Sequence, residues 1–206
     1  MKKTSLIAAT IALAIFLLLN TAFAEQYIYK PQPRQKRSYG KTTIDIAPGV
    51  IIPNGKFGEM AEPGFGGMIS INRQFLPKGF EAGIGTGLFH LSGKDLTGDG
   101  RAEYHSFDVV PMFLNTGLSI RFGSRFSIIP SLSLGVSYIS IDYMDSGEDE
   151  DENESTFDPT AMGGLGMRFR VNHLLSLSLT GKYGVFMEED SNMPFATGLF
   201  LVEFRL

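Results

Sequence analysis

The sequence contains no cysteine and no tryptophan, and only three histidines in 206 residues. The first absence excludes disulfides, thiolate metal sites and thiol nucleophiles. Beyond residue 24 no apolar run approaches the roughly 18 residues that a membrane-spanning helix needs. Passage through a membrane would therefore have to use strands, and strands in hydrocarbon satisfy their backbone groups only by closing into a barrel. An excess of positive charge is also missing. The formal net charge is −4, so no nucleic-acid partner is expected.

The long apolar stretch that does exist lies at the start. Lys2 and Lys3 precede "LIAATIALAIFLLL", and Ala22-Phe23-Ala24 forms a small-x-small cleavage site. Residues 1–24 read as a secretory signal peptide cut after Ala24. Its removal takes the formal charge from −4 to −6, since it carries two of the lysines. Residues 25–40, "EQYIYKPQPRQKRSYG", read as a periplasmic arm with two prolines and the basic residues Lys30, Arg34, Lys36 and Arg37. Contact with anionic headgroups or another periplasmic anion is one use for that charge.

From residue 41 to 206 the hydrophobic period is two. In residues 110–122, Val110, Met112, Leu114, Thr116, Leu118, Ile120 and Phe122 share one face. Pro111, Phe113, Asn115, Gly117, Ser119 and Arg121 share the other. A strand collects such a set on one side, whereas a helix scatters it. The same pattern predicts eight strands near 41–52, 63–75, 79–91, 105–122, 125–143, 159–171, 174–187 and 194–206. Long polar connections alternate with short ones ("LPKG", "GSR", "VNH"). That alternation predicts an all-β fold, an eight-stranded antiparallel up-and-down transmembrane β-barrel with tight turns at one rim.

One face of each run carries large apolar residues and the other carries Gly, Ser and charge. A solvated exterior has little use for so much glycine, whereas a crowded, curved lumen does. The apolar face is therefore assigned to lipid. The opposite assignment would turn Arg168 and Arg170 into lipid at about 2–4 kcal/mol each near the midplane. This register places a lumen charge cluster of Asp45, Glu81, Arg121, Arg168, Arg170, Lys182, Glu203 and Arg205 inside or at a rim, mostly toward the short turns. Buried charges persist when paired, so a plug of mutual salt bridges is expected, with a gate in a narrow pore as the functional alternative. Tyr39, Tyr104, Tyr138, Tyr143, Tyr183 and Phe57 are candidates for the interfacial rings that tryptophan does not supply.

The signal peptide, "PGFGGMISINRQF", "DVVPMFLNTGLSIRF", "IIPSLSLGVSYISI", "GGLGMRFRVNHLLSLSLTGKYG" and the terminal "LFLVEFRL" resemble the small eight-stranded outer-membrane barrel proteins of Gram-negative bacteria. These are the superfamily of the OmpA transmembrane domain, OmpX and OmpW, and the resemblance spans the mature chain. It implies a monomer in the cell outer membrane, in contact with outer-membrane lipids and lipopolysaccharide. It also implies a C-terminal strand read by the outer-membrane insertion machinery, with Phe204 and Leu206 as the insertion signal. Leu206 stands where the superfamily usually has Phe. The implied role is structural or surface-interacting without a large pore. The alternatives are a narrow OmpW-like channel for small solutes and a lipid A-modifying enzyme.

Two loops carry further chemistry. "DLTGDGRAEY" resembles the calcium loops of dockerin- and FG-GAP-type repeats, with Asp95, Thr97, Asp99, the Arg101 carbonyl and Glu103 at alternate positions. Such all-oxygen ligands suit calcium, so calcium is the one cofactor considered and none other is expected. "DSGEDEDENESTFD" holds Asp145, Glu148, Asp149, Glu150, Asp151, Glu152, Glu154 and Asp158, and reads as a solvated loop, with divalent-cation or cationic-partner binding as its functional alternative. No enzyme is expected. His90 lies near Ser92 and His105 starts the next run, but "HLSG" departs from the His-x-Ser-Asn of the deacylase type, and His173 falls in a tight turn.

Overall fold

Alternation of lipid-facing and lumen-facing residues is carried through almost the whole described chain. The computed structural model describes residues 42–75, 79–94, 104–143, 153–188 and 191–206. The elements are β1 (Thr42–Pro53), α1 (Gly55–Met60), β2 (Gly64–Gln74), β3 (Phe80–Ser92), β4 (Tyr104–Leu118), β5 (Ile120–Phe122), β6 (Phe126–Tyr143), β7 (Asn153–Arg170), β8 (Leu175–Met187) and β9 (Asn192–Arg205). β4 and β5 both pair with β6 and form one strand interrupted at Ser119. Every neighbouring pair is antiparallel, and β9 closes the ring on β1 with Ile46 opposite Val202 and Asp45 opposite Glu203. The result is a closed eight-stranded barrel with no free edge.

The interruption has a local cause. Gly79 adopts φ +91°, and its carbonyl takes the Ser119 N–H at 2.8 Å. A Cβ at position 79 would lie 2.4 Å from the Ser119 carbonyl oxygen. Glycine is thus required both for the left-handed backbone and for the approach.

The exterior is an apolar belt bordered by rings. Phe75, Phe122, Phe126, Phe169 and Phe204 are exposed near the short-turn end, with Phe122 and Phe126 in contact at 6.2 Å between centroids. Phe65 and Phe157 are exposed toward the long-loop end, where Phe157 meets Tyr138 at 5.1 Å. Between the rings Ile69, Ile71, Ile84, Leu114, Leu134, Leu165, Leu179 and Phe200 face outward. Phe126 to Tyr138 is twelve steps along β6. That is about 40 Å of strand, or about 30 Å along the barrel axis at the usual tilt of about 40°, enough to cross a bilayer's hydrocarbon core. Beyond Tyr138 the outward positions turn polar, with Asp108 opposite Ser140 and Ser140 opposite Ser155. Large apolar side chains therefore face outward over a membrane-sized height, as the periodicity predicts.

Two expectations need correction. β7 begins at Asn153, six residues before the predicted start. Glu154 and Asp158 are therefore strand residues, and Asp158 is buried in the lumen, where the Thr156 hydroxyl donates to it at 3.1 Å. The first long connection contains a helix, α1, which the period-two reading does not contain. The signal peptide, the arm, the remaining acidic segment 144–152 and the candidate calcium ligands Asp95, Thr97, Asp99, Arg101 and Glu103 lie outside the described residues.

Candidate functional site: a lumen in two storeys

The long-loop half of the lumen is a hydrophobic core. Ile51, Phe89, Leu91, Phe107, Val109, Ile139, Met162, Phe186 and Phe195 point inward and are buried. α1 folds over them and inserts Phe57, which is 0% exposed. Its ring meets Phe107 and Phe186 edge-on, each at 5.8 Å, and Phe186 stacks on Phe195 at 4.2 Å. Such pairs add about 0.5–1.5 kcal/mol each beyond area burial. The helix is tied down on two sides. Asn54 N–H donates to the Pro194 carbonyl at 2.9 Å, and Lys94 Nζ donates to the Gly58 carbonyl at 2.6 Å. Phe57 is therefore a plug in the lumen, not an interfacial ring as proposed from sequence.

Glycines on the inner face make room for these rings. A Cβ on Gly85 would sit 2.7 Å from the Phe113 ring, and one on Gly184 would sit 2.6 Å from Phe195. The apolar upper lumen had a sequence signal, namely loss of alternation at the ends of runs. Leu88 and Phe89 are adjacent, as are Val109 and Val110, so both faces are apolar there.

The short-turn half is polar and organised by Arg168. Its guanidinium forks onto Glu81, with Nη1–Oε1 at 2.6 Å and Nη2–Oε2 at 2.9 Å. Its Nε donates to Glu203 Oε1 at 2.8 Å, and the Ser178 hydroxyl donates to the same oxygen. The position follows from register, since Arg168 lies opposite Ser178 on β8 and Glu203 lies opposite Ser176. One cation thus compensates two carboxylates, and the fork geometry suits guanidinium.

A second chain of bonds crosses the lumen. Asn72 Nδ2 donates to Asp45 at 2.5 Å, and Asn115 Nδ2 to Asn72 Oδ1 at 3.4 Å. The Ser133 hydroxyl donates to Asn115 at 2.7 Å, and Lys182 Nζ donates to Ser133 at 3.1 Å. Lys182 also lies 5.2 Å from the centre of the Phe113 ring, where the polar storey meets the apolar one. A small cavity lies among these groups, lined by Asp45, Asn72, Asn115, Phe113, Arg168 and Lys182.

Of the eight charges assigned to the lumen, five are brought together here: Asp45, Glu81, Arg168, Lys182 and Glu203. The other three, Arg121, Arg170 and Arg205, line the mouth at the short-turn end. Among the described residues they make no ion pair, so the plug of mutual salt bridges is centred on Arg168 alone. Asp45 is held by Asn72 and Ser70, and among the described residues it makes no ion pair. Phe204 faces outward on β9, and Leu206 is exposed just past its end.

The histidines are placed as follows. His90 Nδ1 lies 2.8 Å from Asp108 Oδ1 on the barrel exterior, and both side chains are exposed. Ser92 shares that face, but among the described residues no hydroxyl bonds to His90. His173 is exposed in the turn between β7 and β8, where the Asn172 side chain accepts the N–H groups of Leu174 and Leu175 at 2.8 Å.

No protein-family model and no curated protein matches the chain. Solved structures match in fold. Neisserial surface protein A superposes with a TM-score of 0.55 at 10% identity, over 81% of this chain and 97% of that one. A major outer membrane protein from Thermus thermophilus gives 0.56 at 13%, over 81% and 99%. The outer membrane protein OprG from Pseudomonas aeruginosa gives 0.50 at 12%, over 82% and 96%. At these identities the likeness is one of fold.

Proposed function

We propose that this eight-stranded barrel resides in the cell outer membrane, with its short turns toward the periplasm. There it serves a structural or surface-interaction role with its lumen closed by its own side chains. The membrane reading is supported by the apolar exterior about 30 Å tall and by the fold shared with outer membrane proteins. The observation that carries the closed lumen is Phe57, packed at zero exposure over a barrel crossed lower down by the Glu81–Arg168–Glu203 bridge. Its immediate surroundings in this reading are outer-membrane lipids and lipopolysaccharide, and β9 is the segment read by the insertion machinery. Surface interaction then falls to the long loops.

The test is conductance. In planar bilayers the wild-type protein is expected to show no steady nanosiemens current, and a steady current of that size refutes the closed lumen. A narrow conduit is the second reading, favoured by the cavity that Asp45, Asn115, Arg168 and Lys182 line beneath the plug. Liposome swelling with small solutes separates the two. Lipid A modification draws on the His90–Asp108 pair alone, and unchanged lipid A masses with and without the protein exclude it.

A further inference from the structure

The short-turn mouth carries charge that the closed barrel does not use. A shallow recess there is lined by five arginines (Arg121, Arg125, Arg168, Arg170 and Arg205) and by one carboxylate, Glu81. Glu81 is already held by both terminal nitrogens of Arg168. The other four arginines have no ion pair among the described residues. Arg170 Nε is buried, and it too has no hydrogen-bond partner there. A buried charged donor without an acceptor is costly, and four like charges around one recess repel one another. Among the described residues nothing in the barrel's stability explains why they converge.

We propose that this mouth binds a phosphate-class anion. Guanidinium offers planar forks of donors and is weakly hydrated, so several can share one oxyanion. A carboxylate has two oxygens and is saturated by one or two forks. A tetrahedral phosphate presents oxygens in several directions, matching donors that arrive from β5, β7, β9 and the β5–β6 turn. The anion would take the place of a carboxylate partner for Arg170 and Arg205, and would sit directly below the Arg168 bridge. In the orientation proposed above, the mouth opens to the periplasm and to inner-leaflet headgroups. A free phosphate ester and a lipid phosphate are its two sources.

The test uses the full mature chain in an uncharged glucoside detergent, which contributes no phosphate. Inorganic phosphate and glycerol 3-phosphate are titrated by calorimetry as free sources, and a short-chain phosphatidylglycerol as the headgroup source. Saturable sub-millimolar binding is expected, weakened at least tenfold in the R170Q/R205Q double variant and unchanged in K56Q at the opposite end. Binding of the free esters points to a periplasmic solute, and binding of the lipid alone points to a headgroup; both support the site. No saturable binding of any probe, equal binding by citrate, or binding insensitive to R170Q/R205Q overturns it. Folding of each variant is checked by heat-modifiable gel mobility. If the double variant does not fold, R121Q at the exposed rim replaces it, with a several-fold loss expected and no loss overturning the proposal.

Discussion

Arg168 on β7 and Glu81 on β3 are separated by 87 residues and by strands on either side, yet they meet in a two-pronged ion pair across the lumen. The backbone ladder ties each strand to its neighbours; this pair ties opposite walls together. Because Glu203 shares the same guanidinium, removing Arg168 leaves two carboxylates without a counter-charge. Arg168→Met is expected to cost about 3–5 kcal/mol. The triple variant R168M/E81Q/E203Q should cost clearly less, since it removes the charges together. Urea titration of refolded protein in lipid measures both. Equal loss in the two would show that the pairing is not what the residues contribute.

The plug makes a separate prediction. Phe57 fills the space between Phe107 and Phe186, and truncation of a buried Phe costs about 3–5 kcal/mol when the site cannot collapse. α1 is only six residues long, so Phe57→Ala is expected to release it more readily than to deform the barrel. The chain has no cysteine, which makes thiol labelling clean. A cysteine at Phe186 should resist a membrane-impermeant thiol reagent in an otherwise unchanged protein and react once Phe57→Ala is added. Labelling at the same rate in both would place the plug elsewhere.

The apolar belt gives a depth scale. Leu132 is midway between Phe126 and Tyr138 on β6, and Tyr138 is at the belt's edge. Leu132→Arg is expected to cost about 2–4 kcal/mol, and Tyr138→Arg about 0–1 kcal/mol in charge burial. Refolding into lipid vesicles under urea reads the difference. Equal costs would argue that this face does not meet hydrocarbon.

The barrel was legible in the sequence because lipid and lumen impose period two on every strand. The pairing of β9 with β1 follows from the same rule, since Phe200, Val202 and Phe204 continue the alternation to the end of β9. What was not legible depends on contacts between distant segments. Phe57 looked like an interfacial ring because its burial is created by Phe107 from β4 and Phe186 from β8. Asp158 looked like part of a solvated loop because density of charge masked the alternation of Thr156, Asp158 and Thr160 on the inner face of β7. Register placed Arg168 inside, but it could not say that Glu81 and Glu203 would share it while Arg170 and Arg205 have no carboxylate partner among the described residues.

The glycines supply the sharpest contrast between similar substitutions. Gly85 and Gly163 both lie within strands, at inward and outward positions. A Cβ at Gly85 would meet the Phe113 ring at 2.7 Å and the Ile69 carbonyl oxygen at 2.9 Å. Retreat of the ring would disturb its contact with Lys182, whose Nζ lies 5.2 Å from the ring centre. Gly85→Ala is therefore expected to destabilise by about 1–3 kcal/mol through overpacking. At Gly163 a Cβ meets nothing within 4 Å. Gly163→Ala should be neutral or stabilising by about 0.4–1 kcal/mol, since the unfolded chain loses freedom while the native strand accepts the methyl. Urea midpoints in lipid compare the pair directly. If both substitutions are equally tolerated, the inner glycines are not there to seat aromatic rings, and the lumen is emptier than its packing indicates.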